Sequence, residues 1–205
     1  RVGANSGSLP KDILKEHGNT AHALVLAAMR NIETLAETGF DNIVLSLKSS
    51  DVKTCRDAYT QISKMTAFPL HLGVTEAGTY IDASIKSAIG IGALLLDGIG
   101  DTIRVSVTGD PVREIEIARK ILRFCGVRNE GVEIISCPTC ARCTLDIEKL
   151  AQQVAGYTKT LTRPLKIAVM GCAVNGPGEA READLGVAGG GGMGIVFSHG
   201  NIIKK

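Results

Sequence analysis

Parallel βα units followed by a smaller α+β module are what this 205-residue sequence predicts, an α/β chain overall. Three observations predict it. From residue 1 to about 130, short β-rich apolar runs alternate with segments of helical apolar spacing. Alternation at this spacing builds βαβ units and a parallel sheet. Beyond residue 130 the texture changes to glycine-rich short strands around a cysteine cluster.

The elements follow in order. "RVGA" (1–4) reads as a short opening strand, and "NIVLSL" (42–47), "PLHLGV" (69–74) and "TIRVSV" (102–107) as buried strands. Between and after them, residues 22–39, 52–65, 80–98 and 111–126 carry apolar residues at helical spacing. Pro111 suits the first turn of the last of these helices, and Gly126 suits its stop. Four βα units are about half of a (β/α)₈ barrel, whose usual length is about 250 residues. A smaller doubly wound sheet is the alternative. In the second region "GVEIIS" (131–136) is a strand running into the cysteines, a helix spans about 145–157, and "LKIAVMG" (165–171) is a further strand. "GGGGMG" (189–194) lacks the Gly-x-x-x-x-Gly-Lys-Ser/Thr pattern of a phosphate loop and precedes no strong helix, so a tight β-turn is expected.

Composition narrows the function. Net charge is +2, aromatic residues make up 3% and there is no Trp, with Lys and Arg spread among acids, which argues against nucleic acid as a partner. The most apolar run, 88–100, is too short for a membrane span and contains Asp97. Residues 1–10 do not resemble a signal peptide. Six cysteines without export signals read as cytosolic thiols or ligands, hence a cytoplasmic protein. The absence of an initiator Met suggests a piece of something longer.

"ISCPTCARC" (135–143) places Cys137, Cys140 and Cys143 within seven positions. A disulfide framework fails on compartment, and a thioredoxin-like pair usually sits near the start of a compact domain. Structural zinc needs four ligands, which Cys172 with Cys143 or His199 could complete. An iron–sulfur cluster needs convergent thiolates, which Cys137, Cys140 and Cys172 could supply from two strand ends. Spacing alone leaves zinc and iron–sulfur open. Cys55 and Cys125 lie in helical segments and read as buried, inert thiols. His17, His22, His71 and His199 form no separate constellation; His71, within a strand, either points toward the barrel interior or, by default, packs in the core.

A second stretch, "MGCAVNGPGEAREAD" (170–184), taken with "ISCPTCAR" (135–142), resembles the bacterial 4-hydroxy-3-methylbut-2-enyl diphosphate synthases of the methylerythritol phosphate route to isoprenoids. Further similar stretches are "RVGANSGSL" (1–9), "LSLKSSDV" (45–52), "LHLGVTEAG" (70–78), "GIGALLLDGIGDTIRVSVTGDP" (90–111) and "GVAGGGGMGIVF" (186–197), so the likeness covers nearly the whole chain. It implies the C-terminal part of a TIM (β/α)₈ barrel over residues 1–130, followed by a small α+β [4Fe–4S] cluster domain over 131–205. By resemblance the cluster ligands are Cys137, Cys140, Cys172 and Glu179. Thiolates hold such clusters firmly, whereas a carboxylate is a harder, more exchangeable donor that leaves room for a substrate oxygen.

The implied reaction is the two-electron reductive opening of 2-C-methyl-D-erythritol 2,4-cyclodiphosphate with loss of water. The implied electron donor is a reduced flavodoxin or ferredoxin. The family is a homodimer in which one chain's cluster domain caps the other's barrel. Lys48, Glu76, Arg104 and Ser106 fall at strand ends, where barrel sites lie. Arg1, Lys48 and Arg104 suit the diphosphate, Asn5 and Ser106 its oxygens, and Glu76 a hydroxyl or proton delivery. Asn175 orients the cluster loop or reaches substrate, while residues 176–178 shape a turn.

Three departures stand out. Half the barrel is absent, so substrate residues on the missing strands cannot be named, sheet edges are left open, and little or no turnover is expected of this chain alone. Cys143 stands where the family pattern has no cysteine and reads as a bystander. "GGGGM" replaces a lysine-bearing glycine loop, which removes the case for a phosphate role there.

Overall fold

The computed structural model describes residues 1–205 except 142, 144, 173–175 and 191. The chain divides into two compact units, Arg1–Arg128 and Asn129–Lys205. No helix among the described residues is long and apolar enough to cross a membrane.

In the first unit four strands run parallel: β1 (Val2–Asn5), β2 (Leu45–Lys48), β3 (His71–Leu72) and β4 (Thr102–Ile103). β1 pairs with β2 and β3 with β4, and the bridge Leu45↔Leu70 joins the two pairs. Spatial order therefore equals chain order. A doubly wound sheet requires a reversal of strand order, and this sheet has none. Five helices accompany the strands: α1 (Lys11–His17), α2 (Ala21–Ala36), α3 (Val52–Ile62), α4 (Tyr80–Leu96) and α5 (Val112–Phe124).

Local chemistry sets the helix boundaries. Thr20 and Asp51 cap α2 and α3 by accepting from the backbone N–H groups of Ala23 and Thr54, at 3.2 and 2.7 Å. Past α5, Gly126 adopts φ +71°, a left-handed conformation that ends the helix without a Cβ penalty. Two strands are shorter than their apolar runs, because only part of each run pairs. Beyond β4, Arg104 still donates to the Leu72 carbonyl at 2.8 Å. Helix α1 was not expected from periodicity, since among its seven residues only Ile13 is buried.

Alternation along the strands separates two faces. Leu45, Leu47 and Leu72 are fully buried in one core with Leu24 of α2, Tyr59 and Ile62 of α3, and Ile91 and Leu94 of α4. The other face is polar. Its hinge with the core is Tyr59, whose hydroxyl accepts from Leu47 N at 3.0 Å and donates to the His71 carbonyl at 2.6 Å. Tyr59→Phe leaves both groups without that partner in a dry site, so a loss of about 1–3 kcal/mol is expected in urea unfolding. An unchanged midpoint would show that water replaces the hydroxyl.

The second unit is one five-stranded sheet in chain order: β5 (Val132–Ser136), β6 (Leu165–Met170), β7 (Leu185–Gly190), β8 (Met193–Ser198) and β9 (Asn201–Lys204). β5, β6 and β7 are parallel; β8 and β9 return antiparallel. Helix α6 (Ile147–Thr158), capped by Asp146 Oδ1 on Lys149 N, joins β5 to β6, and the single turn α7 (Gly176–Glu179) precedes β7. β7 and β8 pair antiparallel with Gly190 opposite Met193; the turn expected within 189–194 includes residue 191, which lies outside the described residues.

Candidate functional site

On the polar face of the first unit, register assembles two layers. Gly3 lies beside Ser46, and His71 beside Thr102; one step toward the strand C-termini, Asn5 lies beside Lys48. Gly73 sits between Lys48 and Arg104: a Cβ there would stand 2.9 Å from the Arg104 carbonyl and 3.5 Å from Lys48 Cε. The missing side chain gives the lysine stem its path, a requirement the sequence reading did not register.

Lys48 is only 8% exposed and has no ion-pair partner among the described residues. Burial, followed by the neighbouring charges of Arg104 and Arg1, pushes its pKa down to about 8. Three cations thus share one neighbourhood, two of them exposed and one buried. A buried charge with no counter-charge is costly, and an anion on this face would offset that cost. Cys55 lies beneath it, 1% exposed, with its Sγ 3.5 Å from the Gly73 carbonyl; burial pushes the thiol up to about 11. It is neutral and inert, as expected.

Asn5 Oδ1 accepts from Gly7 N at 3.0 Å, which leaves its NH₂ free to donate. Glu76, exposed in the loop after β3, has φ +52°, a strained left-handed value for a side chain-bearing residue. Its Oε1 approaches the same Gly7, 4.0 Å from where a Cβ would stand. The loops after β1 and β3 therefore meet with Asn5 and Glu76 together. Ser106 is half-buried beyond β4.

His71 differs from the default expectation of core packing. Its ring is on the polar face, Nδ1 lies 2.8 Å from Thr102 Oγ1, and Nε2 is buried with no hydrogen-bond partner among the described residues. Burial, then Lys48, Arg1 and Arg104, lower its pKa.

In the second unit, β5 and β6 are parallel neighbours in register through Ser136↔Val169, so their C-terminal ends share one edge. Cys137 follows β5 directly, and Cys172 follows β6 after Gly171. Gly171 N donates to Cys137 Sγ at 3.1 Å, which ties the two strand ends together. The Cys172 carbonyl accepts from Gly176 N at 3.1 Å, anchoring the turn that ends on Glu179, which is exposed. Gly176 is required there: a Cβ would stand 2.8 Å from Met170 Cβ and 2.9 Å from Ala188 Cβ.

Cys140 is exposed in the loop between. Asn175 lies outside the described residues. Cys143 approaches the other side of the strand end: its Sγ would be 2.5 Å from a Cβ on Gly171, beside Ile147 of α6. Cys137 instead packs with Met170 and Ala180 on the face that carries α7. His199 donates its N–H to the Ala183 carbonyl, beside the start of β7 and so at the opposite end of the sheet from the cysteines. It is misplaced to close a metal site with them. The glycine hairpin borders a mainly apolar groove lined by Leu145, Leu150, Val187 and Met193, with Lys204 and Lys205 at its end.

Among the described residues no three His, Cys, Asp or Glu side chains are drawn together into a metal cage. The donor set itself fits an iron–sulfur cluster. Soft thiols stand on two adjacent strand ends, one already receives a backbone N–H, and a carboxylate, Glu179, ends the turn that the Cys172 carbonyl anchors.

Residues 1–119 match the GcpE TIM-barrel domain, and residues 133–205 match the GcpE protein C-terminal domain. The chain belongs to the GcpE family. It is 54% identical over 205 residues to a Thermodesulfovibrio yellowstonii protein named 4-hydroxy-3-methylbut-2-en-1-yl diphosphate synthase (flavodoxin), covering all of this chain and 59% of that one. Proteins of the same name from Fusobacterium nucleatum and Desulfotalea psychrophila are 56% identical over 206 residues and 51% over 209, with 58% and 57% of their lengths covered. The GcpE chain described here thus spans less than two thirds of these curated relatives.

Proposed function

We propose that this GcpE chain is the C-terminal barrel segment and [4Fe–4S] domain of an enzyme that reductively opens 2-C-methyl-D-erythritol 2,4-cyclodiphosphate. The products are 4-hydroxy-3-methylbut-2-enyl diphosphate and water, with two electrons and two protons consumed. One observation carries the reading. Parallel neighbours β5 and β6 end at one edge with Cys137 and Cys172, and the Cys172 carbonyl anchors the turn to Glu179.

Cys137, Cys140 and Cys172 hold the cluster, and Glu179 completes the site as its exchangeable donor. When bound, the cluster supplies single electrons and a Lewis-acidic iron for the departing oxygen. Arg1, Lys48 and Arg104 neutralise the diphosphate, Arg through paired hydrogen bonds and Lys48 as a buried point charge. Asn5 donates through its NH₂ and Ser106 through its hydroxyl to phosphate or polyol oxygens, and Glu76 orients a hydroxyl or delivers a proton. Asn175 steadies the loop between Cys172 and Glu179 or reaches the substrate. The relatives' names support a flavodoxin as the electron donor. The full-length protein is taken as a cytoplasmic homodimer on the strength of the family resemblance.

The rival of another class is a zinc-stabilised binding module. Anaerobic reconstitution with iron and sulfide, followed by absorption spectroscopy and metal analysis, separates the two. A brown protein with about four irons and four sulfides per chain is expected. A colourless protein holding stoichiometric zinc would refute the cluster.

A further inference from the structure

We propose that His71 is a proton-linked positioning residue of the anion pocket: it takes up a proton when a phosphoryl-type dianion seats among Arg1, Lys48 and Arg104. This rests on the anion pocket proposed above and adds to it a residue with a defined task.

The geometry begins with register. His71 lies beside Thr102, one layer below the pair Asn5 and Lys48, on the same polar face. Gly73, two residues on and just past β3, has no side chain, and Lys48 Cε stands 3.5 Å from where its Cβ would be. The ring is fixed from two sides. Thr102 Oγ1 holds Nδ1 at 2.8 Å, and the Tyr59 hydroxyl holds the residue's own carbonyl at 2.6 Å. Nε2 remains buried without a partner among the described residues. A buried polar atom left unpaired is uncommon and calls for an explanation.

The groups around the ring can be named element by element. β2 contributes Ser46 and Lys48, and the segment preceding β1 contributes Arg1. β4 contributes Thr102, with Arg104 just beyond it. From α3 come Tyr59 and Cys55, both neutral because burial raises their pKa values. None of these is an anion. Three cations lie near a ring whose Nδ1, when protonated, can donate to Thr102 Oγ1, the tautomer that leaves a lone pair on Nε2. They also oppose protonation, which agrees with the lowered pKa of the free site.

A dianion reverses this field. With its charge beside Lys48 and Arg104, the repulsion at Nε2 is cancelled and a proton adds there. The sign follows from linkage. The imidazole's pKa is higher in the bound state than in the free state, so binding takes up a proton between the two values. Affinity then rises as pH falls through the bound-state pKa and levels off below the free-state one.

Sulfate is a suitable probe because it does not itself titrate near neutrality. The ¹⁵N-labelled chain is followed by two-bond ¹H–¹⁵N imidazole correlations across about pH 5 to 8, with and without saturating sulfate. The His71 midpoint is expected to rise by about one unit with sulfate. Sulfate affinity should strengthen toward acid pH in the unmodified chain and lose that acid-side slope in His71→Gln. If sulfate binds but the midpoint does not move, His71 has no such task and the anion pocket stands. If sulfate does not bind at all, the pocket itself fails and this inference fails with it.

Discussion

Replacing Cys172 by serine abolishes iron–sulfur incorporation, whereas replacing Cys143 by serine leaves iron and sulfide content unchanged: this contrast is the largest expected functional effect. The two thiols are close in space, one beside Gly171 in sequence and the other pressed against it, so proximity alone does not separate them. What separates them is the face each occupies. Cys143 lies on the α6 side with Ile147, its Sγ 3.2 Å from the Leu145 carbonyl. Cys137 packs on the α7 side with Met170 and Ala180, and Cys172 opens the segment leading to α7 and Glu179. A serine hydroxyl is a hard, weakly acidic donor and a poor substitute for thiolate on iron. Both variants are to be reconstituted anaerobically side by side, with iron, sulfide and visible absorption measured. A Cys143→Ser chain that loses its iron while Cys172→Ser retains it would invert the ligand assignment.

Much of this site was legible in the sequence, because its chemistry is local. Two cysteines after one apolar run and a third after another predict strand ends, and the parallel register of β5 and β6 supplies the shared edge. The face on which Cys143 lies was not legible, since it depends on how the loop between β5 and α6 folds back over Gly171. In the first unit, Lys48 and Arg104 were recognisable as strand-end cations. Gly73 was not singled out and His71 was given core packing by default, because their roles arise only once β2, β3 and β4 are aligned. The lysine stem needs the glycine's empty space, and the histidine's orphan Nε2 has meaning only beneath three cations. Helix α1 illustrates a different limit. One buried residue in seven produces no periodicity. The choice between half a barrel and a doubly wound sheet also lay beyond composition, since strand order is a long-range property.

Phe197→Ala is expected to destabilise the second unit by about 3–5 kcal/mol, the largest stability effect of any single truncation there. The ring is fully buried among Ala168, Ala180, Ala183 and Ala188, with Met170 and Ile195. Four of those six neighbours are alanines, too small to collapse into the space left behind, and an unrelaxed cavity adds to the lost transfer energy. The partner across the sheet explains the arrangement. Gly186 pairs with Phe197 in register, and a Cβ there would stand 2.1 Å from Phe197 Cζ and 2.4 Å from Cε2. The ring therefore lies flat over the glycine, and the two residues act as one packed pair. Gly186→Ala should accordingly also destabilise, by about 1–3 kcal/mol, because a ring enclosed on its other side cannot retreat. Hydrogen exchange read by mass spectrometry localises the effect: faster exchange is expected in β6, β7 and β8, with β1 and β2 of the first unit as the internal reference. Unchanged protection in Phe197→Ala would mean that the sheet does not depend on this ring. Because β6 presents Cys172 and β7 seats the turn bearing Glu179, the same variant should incorporate iron less completely even though it alters no ligand.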